Sequence, residues 1–375
     1  MLLNRRHFSL AAGAAATLGG FGIARAQGDT PLMLGQSAPF TGPAAQLGIQ
    51  FHQGAKLFLD QYNAQPGRRN VVIKNLDDGY EPDRCAANTQ KLIEEDVFAL
   101  FGYIGTPTSL AALPLAVKDK VPFVAPFTGA MSLREPFQKN VFHLRASYND
   151  ETALMVKQLT HLGLKKIAVF YQNDAYGKAG LDGVTLALGE QQLKPVALAT
   201  VERNSADVAQ AVKAIVAARP DAVVQVGAYK ACATFIREAR KAGYGGTFFN
   251  MSFVGTQALA DELGKDGAGV MITQVVPSPY NQANALAREF AEAARKVNGA
   301  SVNFSSLEGY LAAKVLVEGL RKAPGKPTRE SLIAGLESID RQQFGGFEVS
   351  FSAKNHVGSK FVELSMLTGD GRVRT

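Results

Sequence analysis

Tryptophan is absent and cysteine occurs only twice, as Cys85 and Cys232, so a small fold stapled by disulfides is excluded. Histidine is scarce. The five (His7, His52, His143, His161, His356) show no metal-ligand spacing with one another or with cysteine, so no metal site is expected. Past the N-terminus no polar-free run of about 18 residues occurs, so no membrane-spanning helix is expected there. Lysine and arginine form no block flanked by aromatics, which argues against nucleic acid as a partner. There is no G-x-x-x-x-G-K-[ST] phosphate loop and no G-x-S-x-G elbow. Gly267-Ala268-Gly269 precedes an apolar run, and Ile272 stands where a dinucleotide fingerprint needs its third glycine. What is present is an ordinary globular composition, 46% hydrophobic and 19% charged over 375 residues. That is long enough for two domains with separate cores, and it excludes disorder.

The first 26 residues read as an export leader. Arg5 and Arg6 precede an apolar, Ala- and Gly-rich stretch from Phe8 to Ile23, and Ala24-Arg25-Ala26 forms a small-x-small cleavage site. Paired arginines followed by His7 and Phe8 look like a twin-arginine signal, with ordinary secretion as the alternative; either route implies a periplasmic protein. The formal charge of +7 falls to +4 once Arg5, Arg6 and Arg25 are removed. That small spread excess favours an anionic small ligand only weakly.

The body alternates strand and helix. Leu32-Met33-Leu34, Val71-Val72-Ile73, residues 98–101 and Pro122-Phe123-Val124-Ala125 are short buried-strand runs. Phe51, Ala55, Phe58 and Tyr62 lie on one face of a helix that ends before Pro66-Gly67. The rhythm restarts after residue 148, with strands at residues 167–170, 222–224 and 270–272. Helices are marked by Val208, Val212, Ile215 and Val216, and by Cys232, Phe235, Ile236 and Ala239. This predicts an α/β protein of two doubly wound, Rossmann-like lobes with parallel sheets. Asn281–Val297 and Ser305–Lys322 read as consecutive helices, followed by strands near Phe347 and Phe361–Leu364, so the chain is expected to return to the first lobe and cross once more. Both cysteines fall on apolar helix faces in different lobes and read as buried free thiols.

Chemistry is thin. Asp77-Asp78 offers a carboxylate pair for acid–base work, but a strand-end turn before Gly79 is the preferred reading. The loop Gly102 to Ser109 can aim hydroxyls and backbone N–H groups at an anion, although plain helix capping needs the same residues. Residues 126–130 supply a second wall. Tyr176 and Tyr229 follow strands of the second lobe, where doubly wound sheets bind ligands. Together these describe a cleft closing on a solute.

At these motifs the sequence resembles the type I periplasmic solute-binding proteins of ABC importers, in the branched-chain amino-acid-binding group. The motifs are Gly35 to Pro43, Asp77-Asp78, Gly102 to Ser109, Ala125 to Thr128 and Asn173 to Gly177. The resemblance implies two lobes joined by a three-crossover hinge: 28–147 plus 277–358, and 148–276 plus 359–375. It implies no enzyme activity and no cofactor. The implied partners are a small solute and membrane permease and ATPase subunits, with the binding protein itself a monomer. Thr106 matches the hydroxyl that binds a ligand carboxylate; Phe127, Thr128 and Gly129 lie on the companion loop, and Tyr176 and Tyr229 match second-lobe contacts. Tyr103 and Gly105 complete the candidate set. Three departures follow. Ser252 stands where amino-acid binders place an acid against the ligand ammonium, Gly129 replaces a hydroxyl, and Leu47 replaces an aromatic. An uncompensated buried ammonium costs on the order of 3–5 kcal/mol, so the expected solute is a carboxylate without an α-ammonium, with an aromatic ring favoured by Phe127, Tyr103 and the two tyrosines. The family's cystine is also missing, with Tyr80 and Gly105 in its places. A periplasmic ligand sensor and, further behind, an exported enzyme are the alternatives.

Overall fold

The computed structural model describes residues 30–375; the expected leader lies outside the described residues. Apolar runs become strands and 3.6-periodic segments become helices. The first half contains β1 (Leu32–Ala38), α1 (Ala45–Asn63), β2 (Val71–Asp77), α2 (Pro82–Glu94), β3 (Ala99–Phe101), α3 (Thr106–Lys118), β4 (Phe123–Val124) and β5 (Val141–Phe142). Then follow α4 (Tyr148–His161), β6 (Ile167–Gln172), α5 (Ala175–Glu190), β7 (Ala197–Val201), α6 (Ala209–Ala217) and β8 (Ala222–Val226). Next come α7 (Tyr229–Lys241), β9 (Thr247–Asn250), α8 (Thr256–Leu263) and β10 (Met271–Gln274). The chain ends with α9 (Ala285–Arg295), α10 (Phe304–Lys322), α11 (Arg329–Glu337), β11 (Gln342–Phe344), β12 (Phe347–Val349), β13 (Glu363–Leu367) and β14 (Val373–Arg374).

The first sheet has the order β2-β1-β3-β4-β5 and is wholly parallel. The second runs β14-β13-β10-β9-β8-β6-β7, parallel from β10 to β7. Strand order therefore reverses between β1 and β3 in one lobe and between β6 and β8 in the other. Ligands of doubly wound sheets sit beyond the carboxyl ends at such switch points.

After β10 the chain returns to the first lobe, where α10 packs along α1. The two backbones come so close that a Cβ at Gly54 would lie 1.7 Å from the Ser306 carbonyl oxygen, and one at Gly309 would lie 2.0 Å from that of Phe51. The chain then forms the β11–β12 hairpin and crosses again to the second sheet, where β13 runs antiparallel to β10 and β14 antiparallel to β13. Several elements depart from sequence expectation. The helix foreseen over Asn281–Val297 starts only at Ala285, because the Asn284 side chain accepts the Ala287 N–H and caps it there. The strand foreseen at Phe361–Leu364 forms two residues later. Cys85 and Cys232 are free and buried, on α2 and α7.

Candidate ligand-binding cleft

The switch-point loops of the two lobes face each other. Gly105 (φ 98°) precedes α3, and Thr106 opens it; the Thr106 and Thr128 hydroxyls lie 2.7 Å apart and both are buried. Tyr80 covers this end: a Cβ at Gly105 would lie 2.3 Å from the Tyr80 ring. The two places assigned by resemblance to a cystine are thus in contact, and an aromatic ring on a glycine closes the gap that a bridge would span. Asp77 and Asp78 organise the turn below. Asp77 accepts from Phe40, Thr41 and Gly79, and Asp78 from Ser37 and the Tyr80 N–H. These are turn contacts, and burial pushes Asp78 up to about 6.

Tyr103 does not join the cleft. Gly102 (φ 62°) breaks the period-two alternation of β3, so Tyr103 falls on the face of Leu100 instead of Phe101. There its ring meets Phe123 edge-to-face at 4.9 Å and its hydroxyl bonds to Thr89. The other candidates are brought together. Gly129 has no room for a side chain, because a Cβ would lie 2.5 Å from the Tyr148 ring; Tyr148 thus fills the position and carries in a hydroxyl of its own. Tyr148 stacks on Tyr176 at 5.4 Å, and Tyr176 on Phe253 at 4.5 Å. The Tyr229 hydroxyl accepts the Gln46 N–H across the lobes at 3.5 Å. Leu47 packs against Gly255 of the other lobe, 2.5 Å from where a Cβ there would stand.

Three charged residues were not foreseen from the sequence. Arg145, between β5 and α4, is buried and bound bidentately to Glu308 of α10, with both contacts at 2.8 Å. Burial alone would discharge it; the Glu308 carboxylate outweighs that and raises its pKa. Its guanidinium lies 4.0 Å over the Phe127 ring, and its Nη1 has no partner among the described residues. The Tyr148 and Tyr176 hydroxyls are also buried and unpartnered, and burial raises the pKa of both, keeping them protonated donors. Tyr148 interacts electrostatically with Arg145, lies beside Thr128, and has its ring 5.4 Å from that of Tyr176. Glu151, in the first turns of α4, stands behind Ser252. It accepts the Ser252 N–H at 2.8 Å, the Ser252 hydroxyl at 2.9 Å and the Thr273 hydroxyl. Burial pushes its carboxyl up, against the pull of Arg145 and these donors. An acid is therefore present near the position where Ser252 lacks one, with most of its acceptor capacity spent on protein donors. A lone Arg after the buried Val141-Phe142-His143-Leu144 segment and a Glu on the buried face of a long helix were the available signals for Arg145 and Glu308.

A family model described as periplasmic binding protein matches residues 31–370. Leu/Ile/Val-binding protein homolog 7 of Brucella abortus (strain 2308) is 26% identical over 329 residues, covering 81% of this chain and 80% of that protein. A "possible leucine/isoleucine/valine-binding protein" from Rhodopirellula baltica SH 1 superposes with a TM-score of 0.88 at 34% identity, covering 92% of this chain and 96% of that one. An ABC-transporter solute-binding protein of R. palustris in complex with benzoate shares the fold alone, at 21% identity, with a TM-score of 0.81 over 91% of this chain and 94% of that one. With its two doubly wound lobes, its facing switch-point loops and a match along nearly the whole described chain, this protein belongs to the periplasmic binding protein family, whose members are solute-binding proteins and not enzymes.

Proposed function

We propose that this chain is the extracytoplasmic solute-binding subunit of an ABC importer. It is exported by its twin-arginine leader, works as a periplasmic monomer hinged near residues 147, 276 and 358, and delivers its solute to the permease. The solute is a small organic carboxylate lacking an α-ammonium, with an aromatic ring favoured. One observation carries the choice: Arg145 Nη1 and the Tyr148 and Tyr176 hydroxyls are buried donors without a partner among the described residues, beside the Phe127 and Phe253 rings. A guanidinium can only donate, so its free N–H calls for an acceptor, and a carboxylate supplies two oxygens. Phe127 and Phe253 then offer apolar faces to the rest of the molecule. An α-ammonium has no such welcome, because Glu151 already takes three protein donors and Arg145 stands nearby.

A thermal-shift screen of refolded protein against aromatic carboxylates, aliphatic dicarboxylates, amides and amino acids at about 1 mM tests this. A ligand of about 1 μM affinity adds roughly 4 kcal/mol at that concentration. Shifts of several degrees are expected with carboxylates; shifts confined to amino acids would refute the choice of solute.

A further inference from the structure

Phe253 reaches from the second lobe into the first. It sits in the short turn Ser252–Val254 after β9, fully buried, with its ring 5.8 Å from Phe127 and 5.9 Å from Tyr80, both of the opposite lobe, and 4.5 Å from Tyr176 of its own. Phe127 is the ring under Arg145, and Tyr176 carries one of the unpartnered hydroxyls. A molecule whose head is held by Arg145, Tyr148 and Tyr176 must therefore lay its body against Phe253. The turn that presents the ring is held on both sides. Before it, Ser252 is tied by its N–H and hydroxyl to buried Glu151, itself bonded to Thr273 of β10. After it, Gly255 takes φ 78°, which places its backbone against Leu47 of the first lobe. The turn carrying this ring cannot shift its backbone without breaking the Glu151 contacts.

We propose that Phe253 is the specificity-determining residue of the cleft, setting the size of solute over which the lobes close, with Glu151 and Thr273 holding the turn that carries it. This rests on the cleft being the solute site, but not on which head group the solute carries. A packed apolar wall distinguishes ligands differing by a few carbons by roughly 10- to 200-fold per methylene-sized step, and truncating the wall removes that discrimination.

The test is calorimetric titration of wild type, Phe253→Ala and Phe253→Leu with two pairs: benzoate and 2-naphthoate, leucine and phenylalanine. In whichever pair binds, wild type is expected to favour the smaller member by about 30-fold or more. Phe253→Ala should bring the two within about threefold or reverse the order, with Phe253→Leu in between. A ratio unchanged in both variants overturns the inference while leaving the carboxylate reading intact. Binding of the amino-acid pair alone overturns the carboxylate reading, and the size ratio in that pair still decides the role of Phe253. Failure of both pairs to bind wild type or either variant overturns both. If Phe253→Ala does not melt cooperatively, Phe253→Leu, which keeps apolar bulk, carries the comparison.

Discussion

Tyr148 and Tyr176 hold buried hydroxyls with no hydrogen-bond partner among the described residues. Removing them separates binding from stability. In Tyr148→Phe or Tyr176→Phe the melting temperature without solute should hold or rise, because an unsatisfied buried polar group costs about 1–3 kcal/mol. Carboxylate affinity should fall by about 10- to 100-fold, measured by titration; equal loss of stability and affinity would mean the hydroxyls are structural. Asp78 gives a pH signature. Its folded pKa of about 6 exceeds the ordinary 3.8, so its contribution to stability is fully present below pH 3.8 and is lost as pH rises through about 6. Asp77, held at about 2 although desolvation opposes it, because Thr41, Phe40 and Gly79 donate to it, acts oppositely: its smaller contribution is lost as pH falls toward 2. Melting of Asp78→Asn minus wild type should therefore climb between pH 4 and pH 7, by up to about 3 kcal/mol; a flat difference would contradict this. At this scale the missing acid at Ser252 was legible, while its neighbour Glu151 was not. Glu151 lies 101 residues away and reads locally as an acid in a helix's first turn. Gly129 likewise reads as a lost hydroxyl until the Tyr148 ring is seen in its place.

Among elements, the long helices were readable because their apolar faces repeat at 3.6 residues and are wholly buried, as for Phe51 and Ala55 on α1. The strands β7 and β9 and the two-residue β5 were harder, whereas β4 falls inside the Pro122–Ala125 run. β7 is a half-exposed edge strand with Leu198 outward, so its pattern carries little hydrophobic contrast. Tyr103 shows how one glycine defeats a correct strand reading, since Gly102 turned it into the wrong face. The α1–α10 contact gives a direct prediction. No shift of a flexible side chain can relieve a Cβ placed against backbone at Gly54 or Gly309, so Gly54→Ala and Gly309→Ala should each destabilise by more than about 2 kcal/mol. Chemical denaturation measures this; a neutral outcome at both sites would show that the helices separate easily.

Across the whole molecule, the lobes are also clasped by polar pairs beside Tyr80, at the edge of the cleft. Arg203 meets Glu81 at 2.9 Å, and Asn204 bonds to Glu81 at 2.7 Å and to the Gly79 carbonyl at 3.0 Å. The pairs are partly exposed, each worth about 0.2–1 kcal/mol. Glu81→Ala should thus weaken solute affinity by about three- to fivefold through the closed-state population, with a larger radius of gyration by small-angle scattering at subsaturating solute. Unchanged affinity and radius would remove the clasp from the closing step. The two-lobed plan itself was legible from strand–helix alternation and the late helix pair. The buried Arg145–Glu308 pair was not, because its members meet only in three dimensions, 163 residues apart. The cleft is proposed to hold a carboxylate and not an α-amino acid, and calorimetric titration of refolded protein with benzoate, benzamide and leucine tests this. Benzoate should bind, benzamide should bind at least about tenfold more weakly for want of the charge-assisted pair, and leucine should give no heat. Micromolar leucine binding with none from benzoate would contradict it.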